Sequence, residues 1–177
     1  MTVTIIKEAG YDEALLGLSL SYNQGTERMP VVAGKLYSKE GGHNKFLESI
    51  AVWLDMSAPR YFWQQFDTYR IGVTKQSEST MHTIMKSKIT NDNFEKPVPA
   101  ETLERLNRLV AEKDFDSVKN ELPEGFLQRR IVFTNYMALR RIIAQRKTHK
   151  LREWHMFADK VISTVAHPEL FEDIKRS

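Results

Sequence analysis

Cysteine is absent from the 177 residues, which excludes disulfides, thiolate metal sites and a cysteine nucleophile. Long apolar runs are missing too; none nears the roughly 20 residues that cross a bilayer. No P-loop, glycine-rich dinucleotide fingerprint or Ser-His-Asp order occurs. The five histidines are scattered. His43 has only Glu48 nearby, and His149 and His155 lie six apart, so no metal-ligand spacing is present and no metal is expected. The positive excess is small, +3; it permits an anionic ligand without arguing for nucleic acid. The opening "MTVTIIKEAG" is charged too early for a signal peptide. A cytoplasmic location is expected, that of a host cell if the chain is viral.

Hydrophobic residues make up 41% and charged residues 28%, the balance of a chain that buries a real core. The length suits one domain over residues 1–177, without internal repeats. "VTIIK" predicts a strand and "EALLGLSLSY" a helix capped by Asp12. "NQGTERMP" reads as a loop, and "VVAGKLYSKEGGH" as a short helix ended by Gly41 and Gly42. Ile50, Val52, Leu54 and Met56 alternate as one face of a strand. Pro59 opens a helix through Tyr69, followed by the polar stretch "FDTYRIGVTKQSESTMH", read as a loop. "MHTIMKSKI" fits irregular chain or a short strand, and "TNDNFEKPVP" a surface loop. Leu103, Leu106, Leu109 and Val110 stripe an amphipathic helix, with a second short one at "FDSVKNEL". "RIVFT" predicts a strand, Asn135 caps a helix at "NYMALRRIIAQ", and Leu151, Trp154, Phe157, Val161 and Val165 keep helical spacing up to Pro168. The pattern is α+β.

One charge cluster stands out. Arg140, Arg141, Arg146, Lys147, Lys150 and Arg152 have no acid among them. Such a run is commonly a solvated face; phosphate binding is the sharper alternative. A nucleic-acid groove is disfavoured because no aromatic residues interleave with the charges.

Two ordered blocks carry a resemblance. Gly42, His43, Glu48, Ala58, Pro59 and Gln65 form the first. Leu122, Pro123, Thr134, Asn135, Leu139, Arg146 and "HPELF" form the second, and "AGYDEALLGLSLSY" precedes both, with Ser21 near its end. Together they resemble the flavin-dependent thymidylate synthases (ThyX-like) over about two-thirds of the chain. The family's R-H-R reads Thr68, Tyr69 and Arg70 here, its following loop carries Val73 and Glu78 in place of serines, and its R-Y reads Thr80 and Met81. Lys119 stands at a family arginine and Arg141 at a family asparagine.

The resemblance implies a single domain with a central antiparallel sheet flanked by helices, of the thymidylate synthase-complementing-protein type. It implies transfer of a one-carbon unit from methylenetetrahydrofolate to C5 of dUMP or a related pyrimidine nucleotide, with FAD as cofactor, NADPH as reductant and assembly into a homotetramer. Ser21, His43, Tyr69, Arg70, Gln76, Asn135 and Arg141 fall where the family touches FAD. Gln65, Thr80, Lys119 and Arg146 fall where it holds the nucleotide, and Arg146 is the implied catalytic residue, its guanidinium facing the pyrimidine. Each missing arginine removes a charge-assisted hydrogen bond of about 1.5–3 kcal/mol, unless Arg140, Arg141 or Lys147 compensates. A homologue without catalysis, kept for binding a nucleotide or a protein, is the alternative.

Overall fold

Strand β2 (Ala51–Pro59) sets the architecture. Its alternation comes out as the sequence predicts: Val52, Leu54, Met56 and Ala58 are wholly buried, because side chains two apart share one face of a pleated strand. In the computed structural model, which describes residues 1–175, β2 pairs within a four-stranded antiparallel sheet. The others are β1 (Thr2–Ala9), β3 (Thr74–Ser77) and β4 (Leu127–Asn135), in the order β1-β2-β4-β3. The α+β expectation therefore holds.

Strand β3 was not visible in the sequence. Its four residues, "TKQS", are polar and mostly exposed, so no apolar alternation marks them. It is an edge strand and depends on backbone pairing. Just beyond it the Glu78 N–H donates to the Arg129 carbonyl (2.8 Å) and the Gln128 amide donates to the Glu78 carbonyl (2.9 Å).

The chain divides into two compact units, to which β2 and β4 both contribute residues. The first comprises residues 1–2, 56–68 and 76–131. Helices α3 (Arg60–Phe66), α4 (Thr80–Thr83), α5 (Ala100–Ala111) and α6 (Phe115–Glu121) lie here. Leu106 and Leu109 of α5 pack with Val118 of α6 and with Ile84, Ile89, Phe94, Leu122 and Phe126. Phe94 meets Phe126 edge-on at 5.6 Å, so the expected surface loop at 90–99 carries a core anchor. Thr80–Thr83 is a turn of helix rather than a strand. Helix α3 stops at Phe66, where the Thr68 hydroxyl donates to the Gln65 carbonyl (2.7 Å) and diverts the backbone.

The second unit takes residues 3–55, 69–75 and 132 onward. It holds α1 (Tyr11–Tyr22), α2 (Met29–Leu36), α7 (Tyr136–Arg146), α8 (Arg152–Thr164) and the final turn α9 (Glu172–Lys175). Gly10, in the left-handed conformation, precedes α1, so Asp12 sits in the first turn and is not the cap. There its charge still complements the helix dipole. Helix α2 begins inside the expected loop and ends at Leu36, ahead of Gly41 and Gly42. Trp154, Phe157, Val161 and Val165 of the predicted stripe are buried, as are Tyr136, Leu139 and Phe171. The Tyr136 hydroxyl donates to Glu8, whose other carboxylate oxygen accepts from the Ala166 N–H (2.9 Å). Burial, then the Glu8 carboxylate, push the Tyr136 phenol far above the ordinary tyrosine range, so it stays a neutral donor. Among the described residues no helix is long and apolar enough to cross a membrane.

Thr134 on β4 is 1% exposed, and its hydroxyl has no hydrogen-bond partner among the described residues. Desolvating an unpaired hydroxyl opposes folding. The Thr134→Val variant, nearly the same shape, is expected to match or exceed the parent by up to about 1 kcal/mol in urea unfolding. A large loss would show that the hydroxyl is bonded.

Candidate functional site

The site residues of the second unit depend on the junction between β4 and α7. Strand passes directly to helix at Asn135, whose side-chain oxygen accepts from the Ala138 N–H (2.9 Å) and caps α7. The Tyr136 N–H donates to the Ile50 carbonyl at the foot of β2 (3.0 Å). Gly72 lies against this corner with φ +71°; an added Cβ there would come within 3.2 Å of Asn135 Nδ2 and 3.3 Å of Ala138 Cβ. A side chain there would be strained by the backbone angle and would push on its neighbours by a few tenths of an ångström, so glycine suits the position.

Helix α7 then separates the arginines that the sequence bunches together. Arg140 is buried and forms a fork on Asp173, with Nη1 at 2.8 Å from one carboxylate oxygen and Nη2 at 2.7 Å from the other. It also donates to the Leu170 carbonyl and lies 4.9 Å over the Tyr37 ring. Arg140 thus has its terminal nitrogens engaged by Asp173, and the pair lines the wall of a cavity of about 470 Å³. Arg141 is exposed and lines the same cavity with Lys45 and Glu48. Arg146, in the last turn, donates from Nε to the Tyr69 hydroxyl (2.7 Å) and lies 4.8 Å from the Trp154 ring.

A second cavity, about 600 Å³, is lined by Gly17 and Ser21 from α1 and by Gly42, His43 and Phe46, among others. Gly41, Gly42, Lys45 and Glu48 line both cavities, which therefore adjoin. Gly41 and Gly42 have φ of +72° and +85°, a consecutive left-handed pair that turns the chain without side chains and leaves backbone exposed to a ligand. Ser21 and His43, chosen on separate parts of the sequence, thus face one space. The two linings bring an imidazole, hydroxyls, bare backbone and the cations Lys45, Arg140 and Arg141 together with the carboxylates Glu13, Glu40, Glu48 and Asp173, around a space of ligand size. The lining is polar and of mixed charge, able to meet a polar ligand that carries both donors and an anionic group.

In the first unit, Thr80 and Lys119 also come together: Lys119 Nζ donates to Thr80 Oγ1 (2.7 Å). Gln65 is half-buried on α3, and Gln76 is exposed on β3. Arg70 is exposed at the start of the 69–75 loop. Asn135 has its carbonyl oxygen engaged in the cap and its amide nitrogen beside Gly72. Sequence reasoning missed Trp154 as a site residue, because helical spacing marks it only as core. It also missed the Gly41–Gly42 turn, read there as a helix stop. Among the described residues no three His, Asp or Glu side chains gather as a metal site.

No family model matches the sequence, and no curated protein matches it. Solved structures do match. A thymidylate synthase X (ThyX) from Helicobacter pylori, crystallised with FAD and dUMP, superposes with a TM-score of 0.86 at 17% identity, covering 100% of each chain. A second structure of the flavin-dependent thymidylate synthase from Helicobacter pylori, also complexed with FAD and dUMP, gives 0.84 at 18% identity over 98% of this chain and 99% of the other. The chain has the ThyX fold over its whole length.

Two outcomes test the geometry. Asn135→Ala removes the α7 cap and is expected to cost about 1 kcal/mol in chemical unfolding, while Asn135→Asp, which keeps an acceptor, costs less; equal losses would contradict the cap. His149 Nδ1 accepts from the Leu151 N–H (3.1 Å) ahead of α8. Desolvation, then the charges of Arg146 and His155, lower its pKa. Its contribution to stability is therefore present above the ordinary histidine value of about 6.5 and is lost as pH falls through the lowered one. An NMR titration is expected to place the His149 midpoint below that of free histidine.

Proposed function

We propose that the protein is a flavin-dependent thymidylate synthase homologue that binds FAD and a pyrimidine nucleotide, dUMP or a close relative. The single observation behind this reading is that Ser21 and His43 line one cavity of about 600 Å³ in a chain whose fold matches proteins crystallised with FAD and dUMP. The cavity's chemistry fits such a cofactor. His43 and Ser21 offer hydrogen bonds to a flavin or its ribityl chain. Arg141 and Lys45, in the adjoining space, offer charge to a pyrophosphate, and the Gly41–Gly42 turn offers close backbone approach. Tyr69, Arg70, Gln76 and Asn135 complete the proposed flavin contacts.

FAD, when bound, would carry the hydride supplied by NADPH, while methylenetetrahydrofolate supplies the one-carbon unit for C5 of the pyrimidine. The protein's own part is positioning and electrostatics. Arg146 holds the pyrimidine and stabilises charge that develops on it. Lys119, fixed by Thr80, provides a point charge for the phosphate, where an arginine would provide a fork. Gln65 supplies a neutral hydrogen bond. A homotetramer and a cytoplasmic setting belong to the same proposal.

One observation favours a second reading, a homologue that binds but does not turn over. The Thr68 hydroxyl, where the family has an arginine, donates to its own helix at the Gln65 carbonyl, and Glu78 is an exposed acid in the same stretch. Both weaken anion binding.

The test is a fluorescence titration with FAD, followed by turnover of labelled dUMP with NADPH and methylenetetrahydrofolate. Saturable FAD binding is expected, weakened roughly tenfold or more by His43→Ala, with formation of thymidylate. A protein that ignores FAD would overturn the reading. Tight nucleotide binding without product would support the second.

A further inference from the structure

Tyr69 is held at both ends. Its carbonyl accepts from Lys75 Nζ (3.1 Å), and its hydroxyl accepts from Arg146 Nε (2.7 Å). The Arg146 guanidinium also lies 5.4 Å from the Tyr69 ring and 4.8 Å from the ring of Trp154. Those two rings meet at 6.0 Å and 77°, so they form a corner rather than a parallel sandwich. Trp154 is 1% exposed and cannot swing away. At the middle of the same loop Gly72 lies against Asn135 and Ala138, so the segment carrying Tyr69 is itself anchored to α7.

The chemistry of this corner is specific. An arginine side chain has several rotatable bonds and loses considerable freedom when it is fixed on a ligand. A bond at Nε combined with two aromatic surfaces fixes the plane of the guanidinium before any ligand arrives. Tyr69 uses Nε and so occupies one of the two forked edges of the guanidinium, the kind through which Arg105 holds Glu121; the other edge is formed by the two terminal nitrogens. The phenol therefore orients the guanidinium through Nε, and the edge between the terminal nitrogens is the one the phenol does not contact. This is preorganisation, which raises affinity by lowering the ordering cost of binding.

We propose that Tyr69 is a positioning residue for Arg146: it presets the guanidinium that receives the pyrimidine nucleotide, instead of serving chiefly as a flavin contact. The proposal rests on the assignment of Arg146 to the nucleotide. Tyr69→Phe removes one hydroxyl and keeps the ring. Arg146→Lys keeps the charge and removes Nε. Trp154 is left intact, since its burial makes any variant a folding risk.

The experiment is calorimetric titration of dUMP into the full-length protein, with excess FAD, as a double-mutant cycle. Tyr69→Phe is expected to weaken dUMP roughly threefold to tenfold, the worth of one net hydrogen bond, and to weaken FAD by less, with the melting temperature unchanged. In the Arg146→Lys background the same change should have no further effect. A second readout is independent of the ligand: the Arg146 Nε–H signal in NMR should exchange faster with water in Tyr69→Phe. Equal weakening of dUMP by Tyr69→Phe in both backgrounds would overturn the proposal, as would a loss confined to FAD. If Arg146→Lys binds dUMP as the parent does, or the parent binds none, the nucleotide assignment of Arg146 fails and the proposal with it. Normal weakening by Arg146→Lys with none from Tyr69→Phe would sink the positioning role alone.

Discussion

The cap at Asn135 is the constraint on which the second unit's site depends. One side-chain oxygen takes the Ala138 N–H, and a strand becomes a helix with no intervening loop. Without a loop there is little slack: the direction of α7 follows from that of β4, and the register of every α7 side chain follows from the cap. The contact from Tyr136 N–H to Ile50 joins the same corner to the start of β2. Gly72 then brings the 69–75 loop against it. Three separated parts of the sequence meet within a few ångströms of one amide side chain.

That register gives the α7 arginines different tasks. Arg140 turns inward to Asp173 and helps fix the last helical turn. Only the arginine of this pair is buried and Asp173 is exposed, so losing the carboxylate would leave a buried guanidinium with one charged partner fewer. Arg141, one residue later, is exposed, and it lines the cavity of about 470 Å³ together with Arg140 and Asp173. Arg146 reaches the aromatic corner of Tyr69 and Trp154. A run that reads as uniform positive charge is divided among different surroundings, because successive helical residues point about 100° apart.

How much of this the sequence reveals follows from how local each signal is. The β2 alternation, the Asn135 cap and the α8 stripe were plain because neighbouring residues encode them. Strand β3 was not, since a short polar edge strand is specified by its partner's backbone and carries no pattern of its own. The end of α2 at Leu36 was misplaced because Gly41 and Gly42 are strong helix-stop signals and shape the later turn instead. Among site residues, Ser21 and His43 emerged through resemblance, and one cavity unites them. The Tyr69–Arg146 bond and the Arg140–Asp173 pair could not be read, because each joins residues distant in the chain with no spacing rule between them. Tyr69 looked like a lost histidine, and only its hydroxyl's partner suggests otherwise.

The central claim is the proposal that α7 keeps Arg140 on Asp173 and presents Arg141 and Arg146 to a bound flavin and nucleotide. A crystal structure of the protein soaked with FAD and dUMP tests it most directly. The expected map shows Arg140 still on Asp173, Arg141 against the FAD pyrophosphate or ring, and Arg146 on the pyrimidine with Tyr69 still bonded at Nε. Ligand density that leaves Arg141 and Arg146 untouched, or Arg140 drawn away from Asp173 to meet the ligand, would contradict it.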